Sequence, residues 1–149
     1  MPGKIYLDTC ALSRPFDDQA QARVRLETEA VEHLLKAVTD GRLGWIVSDV
    51  ILFEVSRRPD EARRERLATL CRSASGRVAL SEAIGRRARE LRAQGLRDLD
   101  ALHLASAEQE GVSVLLTTDE GFIRAAGSLQ PPSPVRVANP VVYELEVLP

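Results

Sequence analysis

The chain has 149 residues, a hydrophobic share of 44%, a charged share of 28% and a formal net charge of −2. Length and composition predict one water-soluble domain, residues 1–149, with enough chain to bury a substantial core. They argue against a generally basic nucleic-acid binder, and no apolar stretch is long enough to span a bilayer.

In chain order, KIYL is a short apolar run of β character that ends at Asp8 and reads as the first strand. A loop containing SRPFDD is expected next, with Pro15 and two acids as its break signals. From about Gln21 to Asp40, Val24, Ala30, Val31, Leu34, Leu35 and Val38 recur at helical spacing, and Gly41 closes the helix. WIV is a second strand. Ser48 suits the N-cap of a helix to about Arg58, which Pro59 ends.

Asp60 suits the cap of a further helix to about Arg72, RVAL reads as a third strand, and Ser81 suits the cap of a helix ending near Gly95. A helix over roughly Leu99–Glu110 stops at Gly111, with Asp98 expected as its N-cap. VSVLLTT is the clearest strand, apolar enough for burial on both faces, and leads through Asp119 into a short helix. After PPSP come a strand at VRVA and a terminal helix capped by Asn139 and Pro140. This alternation predicts an α/β fold: a three-layer α/β/α sandwich around a mostly parallel sheet.

Four acids stand at the ends of apolar runs or on apolar helix faces: Asp8, Glu54, Asp100 and Asp119. A carboxylate near a core costs free energy unless it is paired, protonated or metal-bound. Asp8 and Asp119 end two predicted strands, on the sheet edge where open α/β folds bind ligands. Glu54 follows Val50 and Ile51 on its helix face, and Asp100 shares a face with Leu96, Leu104 and Ala107.

Each acid also has a plain structural role open to it. Asp8 and Asp119 suit helix caps, Glu54 suits pairing with Arg57 or Arg58, and Asp100 suits the positive end of its helix. Taken together, four carboxylates at one sheet edge suit binding of Mg²⁺ or Mn²⁺ for phosphodiester hydrolysis. Only His33 and His103 are present, so a zinc site is disfavoured, and His103 is expected to pack or be partly exposed. Cys10 and Cys71 match neither a zinc pattern nor a disulfide framework and are read as reduced thiols. MPGKIYLDTC lacks the pattern of a signal peptide, and a cytoplasmic location is expected.

Charge is unevenly spread. Residues 57–97 hold twelve Arg against five acids, about +7, and the remainder is about −9. A basic flank beside an acidic centre suits a polyanionic substrate as well as it suits a pair of solvated helices. Arg86, Arg87, Arg89 and Arg92 are the candidates for guiding a nucleic-acid backbone.

The segments YLDTCALSR, IVSDVILFEVS, DLDALHLASAEQEGVSVLLTTDEGF and VANPVVYEL, in this order, resemble the PIN-domain nucleases, and more narrowly the VapC-like toxins of VapBC toxin–antitoxin modules. The resemblance implies a metal-dependent endoribonuclease whose metal-binding and catalytic acids are Asp8, Glu54, Asp100 and Asp119. It also implies a homodimer and inhibition by a small antitoxin protein. A polar residue beside the last acid, Thr117 or Thr118, is expected to assist, with Thr118 and Arg14 as substrate-binding candidates. Arg25 is a further phosphate candidate, and Arg14 and Arg25 equally suit pairing with Asp17, Asp18 or Glu29. Many members carry another acid shortly after the fourth, where this chain has Glu120 and then Gly121, so one metal is better supported than two. The competing reading is a catalytically weak PIN-like module that binds RNA or protein.

Overall fold

The computed structural model describes residues 3–147, within a three-layer α/β/α sandwich. Five strands form one parallel sheet: β1 (Lys4–Leu7), β2 (Gly44–Ser48), β3 (Gly76–Val78), β4 (Val114–Leu116) and β5 (Arg136–Ala138). Their order is β3-β2-β1-β4-β5, which puts β1 at the centre. Ile5, Tyr6 and Leu7 of β1 and Leu115 and Leu116 of β4 are wholly buried, as expected of parallel strands covered on both faces.

The helices are α1 (Thr9–Ser13), α2 (Ala22–Thr39), α3 (Asp49–Ser56), α4 (Glu61–Cys71), α5 (Glu82–Ala93), α6 (Asp98–Glu110), α7 (Glu120–Gly127) and α8 (Pro140–Val147). Helix α2 packs with α8, α5 with α6, and α3 with α4. Several expected caps are present. Ser48, Asp60 and Ser81 accept from the amides of Ile51, Arg63 and Ile84, and Asn139 Oδ1 accepts from Val141 at 2.8 Å. Gly111 ends α6 in the left-handed region at φ 70°, which is costly for any residue with a side chain.

The structure departs from the sequence reading in three places. The segment after Asp8 is a helix rather than a loop, because Asp8 caps it and nothing interrupts TCALS before Pro15 opens a 3₁₀ turn at Arg14–Phe16. Strand β3 ends at Val78, because the Leu80 amide is taken by the Asp49 carboxylate at 3.0 Å and Leu80 faces solvent. Asp98 is the first residue of α6 rather than its cap; its carboxylate turns to Arg92 Nε at 2.7 Å, and Arg97 holds the cap position without a side-chain bond.

Candidate active site

Chain order and strand order together decide where the acids meet. The chain moves outward from β1 through β2 to β3, then returns to lay β4 on the other side of β1. The reversal lies between β1 and β4, and the crevice beyond their C-terminal ends is the usual ligand site of such sheets. Asp8 directly follows β1, and its amide donates to the Leu116 carbonyl of β4 at 3.0 Å. Asp119 follows β4 after Thr117 and Thr118. Helices α3 and α6 bring Glu54 and Asp100 to the same place, and Glu54, Asp100 and Asp119 line a cleft of about 500 Å³ with Arg97, Asp98 and Leu99.

Asp8 is buried, only 3% exposed, and near enough to Asp100 for the two charges to interact. Its Oδ1 accepts from the Ala11 amide at 3.0 Å, and the Thr117 hydroxyl is a further partner. Both are neutral groups, and among the described residues no lysine or arginine pairs with it. Burial, opposed by the nearby His103 and these hydrogen bonds and reinforced by Asp100, pushes its carboxyl up to about 6. Asp8 therefore serves as a helix cap and as a buried charge short of a counter-ion; the two readings open in the sequence coexist.

Glu54 is half-buried and bonded rather than paired with Arg57. Thr9 Oγ1 donates to its Oε1 at 2.8 Å, and His103 Nε2 meets the same oxygen. Burial alone would raise this carboxyl, but the hydrogen bonds of His103 and Thr9, with the more distant Arg58, hold it below its usual range. Asp100 sits in the first turn of α6, where burial and the neighbouring Asp119 raise its carboxyl against the pull of Arg97. Asp119 caps α7, accepting from the Phe122 amide at 3.2 Å. The Arg97 guanidinium spans the two aspartates, with Nε 3.3 Å from Asp100 and Nη2 on Asp119.

The four acids form one electrostatic unit. The Cys10 thiol, pushed up to about 12 first by burial, also feels Asp8, Glu54, Asp119 and Asp100 together. Among the described residues, no three side chains of the ligating types yet close around one point. Arg97 lies between two of the acids, and Glu54 is turned to His103 and Thr9. A divalent cation nevertheless suits the donor set: carboxylate oxygens only, one of them on a buried residue with no lysine or arginine partner among the described residues.

Of the other sequence candidates, Arg14 takes the pairing with Asp17 that the sequence left open (2.9 Å). It is also held by the buried Glu27 (2.8 Å), so it braces the loop after α1 instead of presenting a free guanidinium. Arg25 donates to the Gln19 and Ala20 carbonyls. The hydroxyl that reaches the acids is that of Thr117, which bonds Asp8 and accepts from the Asp119 amide at 3.1 Å; Thr118 offers its carbonyl to Arg23 at 2.8 Å. Glu120 is exposed and 3.5 Å from Arg23. At Gly121 a Cβ would stand 3.1 Å from Asp119 Oδ1, so a side chain there would crowd that carboxylate.

The residue underestimated from the sequence is His103. It is 2% exposed, so it is packed rather than partly exposed, and it is also bonded to Tyr6 and Glu54. Its spacing of three from Asp100 was the available signal; the partners come from other elements.

The sequence matches the PIN domain family over residues 5–128. The chain belongs to the PIN domain family. Among curated proteins, none matches this PIN-domain chain. Among solved structures it is similar to VapBC2 from Rickettsia felis, crystallised with a DNA fragment from its promoter: 13% identity, TM-score 0.62, covering 91% of this chain and 98% of that one. It is also similar to VapC20 of Mycobacterium tuberculosis, a Sarcin-Ricin loop cleaving toxin, at 19% identity and TM-score 0.61, covering 85% and 97%. PAE2754 from Pyrobaculum aerophilum gives 19% identity and TM-score 0.51 over 97% and 90%. At these identities the likeness is one of fold. No helix among the described residues is long and apolar enough to cross a membrane.

Proposed function

We propose that this PIN-domain protein is a Mg²⁺- or Mn²⁺-dependent endoribonuclease of the VapC type, acting through Asp8, Glu54, Asp100 and Asp119 as a single nuclease domain. The observation that carries the reading is Asp8: a buried carboxylate with no lysine or arginine partner among the described residues, placed at the β1/β4 reversal beside further acids. When bound, a divalent cation would neutralise these acids, polarise the scissile phosphate and lower the pKa of an attacking water. Asp8, Glu54, Asp100 and Asp119 are the residues that would hold it. Thr117 holds Asp8 and the Asp119 amide in register, and Arg97 is free to exchange its carboxylate partners for substrate phosphate.

The reading extends to a single-stranded or structured RNA substrate, a small antitoxin partner, a homodimer and a cytoplasmic site of action; the likeness to a Sarcin-Ricin loop cleaving toxin supports the first and that to VapBC2 the second. The test is cleavage of RNA by nuclease-free protein with Mn²⁺, with Mg²⁺ and with EDTA. Asp8→Asn and Asp100→Asn should each abolish cleavage. Equal cleavage by these variants and wild type would reject the assignment, whereas tight RNA binding without cleavage would favour a binding module.

A further inference from the structure

A chain of buried polar groups ends on Glu54. Ser48 at the end of β2, Tyr6 in the middle of β1 and His103 on α6 are 0%, 0% and 2% exposed. The Ile51 amide donates to Ser48 Oγ at 3.2 Å, Ser48 Oγ lies 2.6 Å from Tyr6 Oη, and Tyr6 Oη lies 2.7 Å from His103 Nδ1. His103 Nε2 then meets Glu54 Oε1.

The direction of these bonds follows from counting hydrogens. Ser48 Oγ already accepts from Ile51, so its own hydrogen can go to Tyr6. A phenol carries its hydrogen at neutral pH, and a Tyr6 oxygen that accepts from Ser48 can donate that hydrogen to Nδ1. An Nδ1 that accepts leaves the ring hydrogen on Nε2, opposite a carboxylate oxygen that can only accept. The reverse direction would strand the Ser48 hydrogen in a wholly buried place, at the cost of an unmade bond. Thr9 and His103 both bond Oε1, which leaves Glu54 Oε2 for the cleft that Glu54 lines.

We infer that His103, held as its Nε2–H tautomer by Tyr6 and Ser48, is a positioning residue that fixes the Glu54 carboxylate with one oxygen turned to the metal. This rests on the metal-carboxylate reading above. A glutamate on a short helix otherwise has to give up its rotamer freedom when a cation binds; here that freedom is lost on folding. Partners of ligating side chains are typically worth 10- to 100-fold in metal affinity.

The test combines NMR with calorimetry. Two-bond ¹H–¹⁵N correlations on metal-free wild type should place the His103 hydrogen on Nε2. Tyr6→Phe, which preserves packing, should remove the tautomer preference and raise the Mn²⁺ Kd about tenfold. His103→Leu should weaken Mn²⁺ at least as much, and His103→Gln, whose amide can still donate towards Glu54, should recover most of the loss. If His103→Leu does not fold, Tyr6→Phe and His103→Gln carry the comparison. A hydrogen on Nδ1, or Mn²⁺ affinities of Tyr6→Phe and His103→Leu within twofold of wild type, would overturn the inference. A wild type that binds no Mn²⁺ overturns the metal reading and this role with it. Because the tautomer is read without metal or RNA, failure of the relay and failure of the nuclease reading give different results.

Discussion

Arg97 closes on Asp119 across twenty-two residues of chain, and its Nε stands 3.3 Å from Asp100. The guanidinium therefore rests between two carboxylates that a cation would need. Both partners of this contact are reachable by water, so the pairing is weak enough to yield. Arg97→Gln should tighten Mn²⁺ binding by about threefold, measured by calorimetry, while lowering affinity for RNA. Unchanged Mn²⁺ affinity would mean that Arg97 leaves the acids without competing for them.

Asp8 is expected to cost the metal-free protein stability at neutral pH. Its folded-state value of about 6 exceeds the ordinary 3.8, so the folded protein retains a proton that the unfolded chain has lost. Stability then falls as pH rises from about 4 to about 6, and the deficit persists above. Asp8→Asn keeps the oxygen that accepts from Ala11 and removes the charge. In EDTA at pH 7.5 it should be more stable than wild type by on the order of 2 kcal/mol, and near pH 3 the gain should vanish. Excess Mn²⁺ should raise the melting temperature of wild type and leave the variant unmoved. A lower melting temperature for the variant at pH 7.5 would show that the Asp8 charge is already compensated.

Glu27 fastens the loop after α1 to the body of the domain. It is 2% exposed and receives Arg14 Nε (2.8 Å), Arg23 Nε (3.2 Å) and Asn139 Nδ2 (2.7 Å). Removing it leaves Arg14 Nε, Arg23 Nε and the Asn139 amide without the carboxylate they share, although Arg14 keeps Asp17. Glu27→Ala should cost roughly 3–5 kcal/mol in urea unfolding, and Glu27→Gln less, because an amide oxygen still accepts. Loss below about 1 kcal/mol would mean that solvent replaces the carboxylate freely.

The arginines of α5 should divide by position. Arg92 pairs with Asp98 beside the cleft, whereas Arg87 is bound by Glu108 near the far end of α6 and Arg86 lies by Glu82. In filter binding without added divalent metal, in the Asp8→Asn background, Arg92→Ser should reduce the salt slope for single-stranded RNA by about 0.7. Arg86→Ser should leave the slope unchanged. Equal effects of the two would assign binding to the whole helix face.

Much of the architecture was legible because it depends on short-range chemistry. The apolar runs at residues 4–7 and 112–118 mark the central strands, since a strand buried on both faces has no polar side to alternate with. Ser48, Asp60 and Ser81 mark helix starts, because a cap is a bond made within three residues. The same locality explains the misplaced cap at Asp98: Arg92, on the preceding helix, offers its carboxylate a charged partner.

The four acids were singled out by their burden of charge on apolar segments, which is a property of neighbours in sequence. Their partners were not. That Arg14 is occupied by Glu27, that Thr117 rather than Thr118 sends its hydroxyl to Asp8, and that His103 joins Tyr6 to Glu54 all depend on contacts between distant elements. The sequence by itself determined which residues carry charge next to a core and which strands lie deepest. Only the tertiary structure decided which donor each carboxylate meets, because the order β3-β2-β1-β4-β5 brings together ends of elements that the chain keeps more than a hundred residues apart.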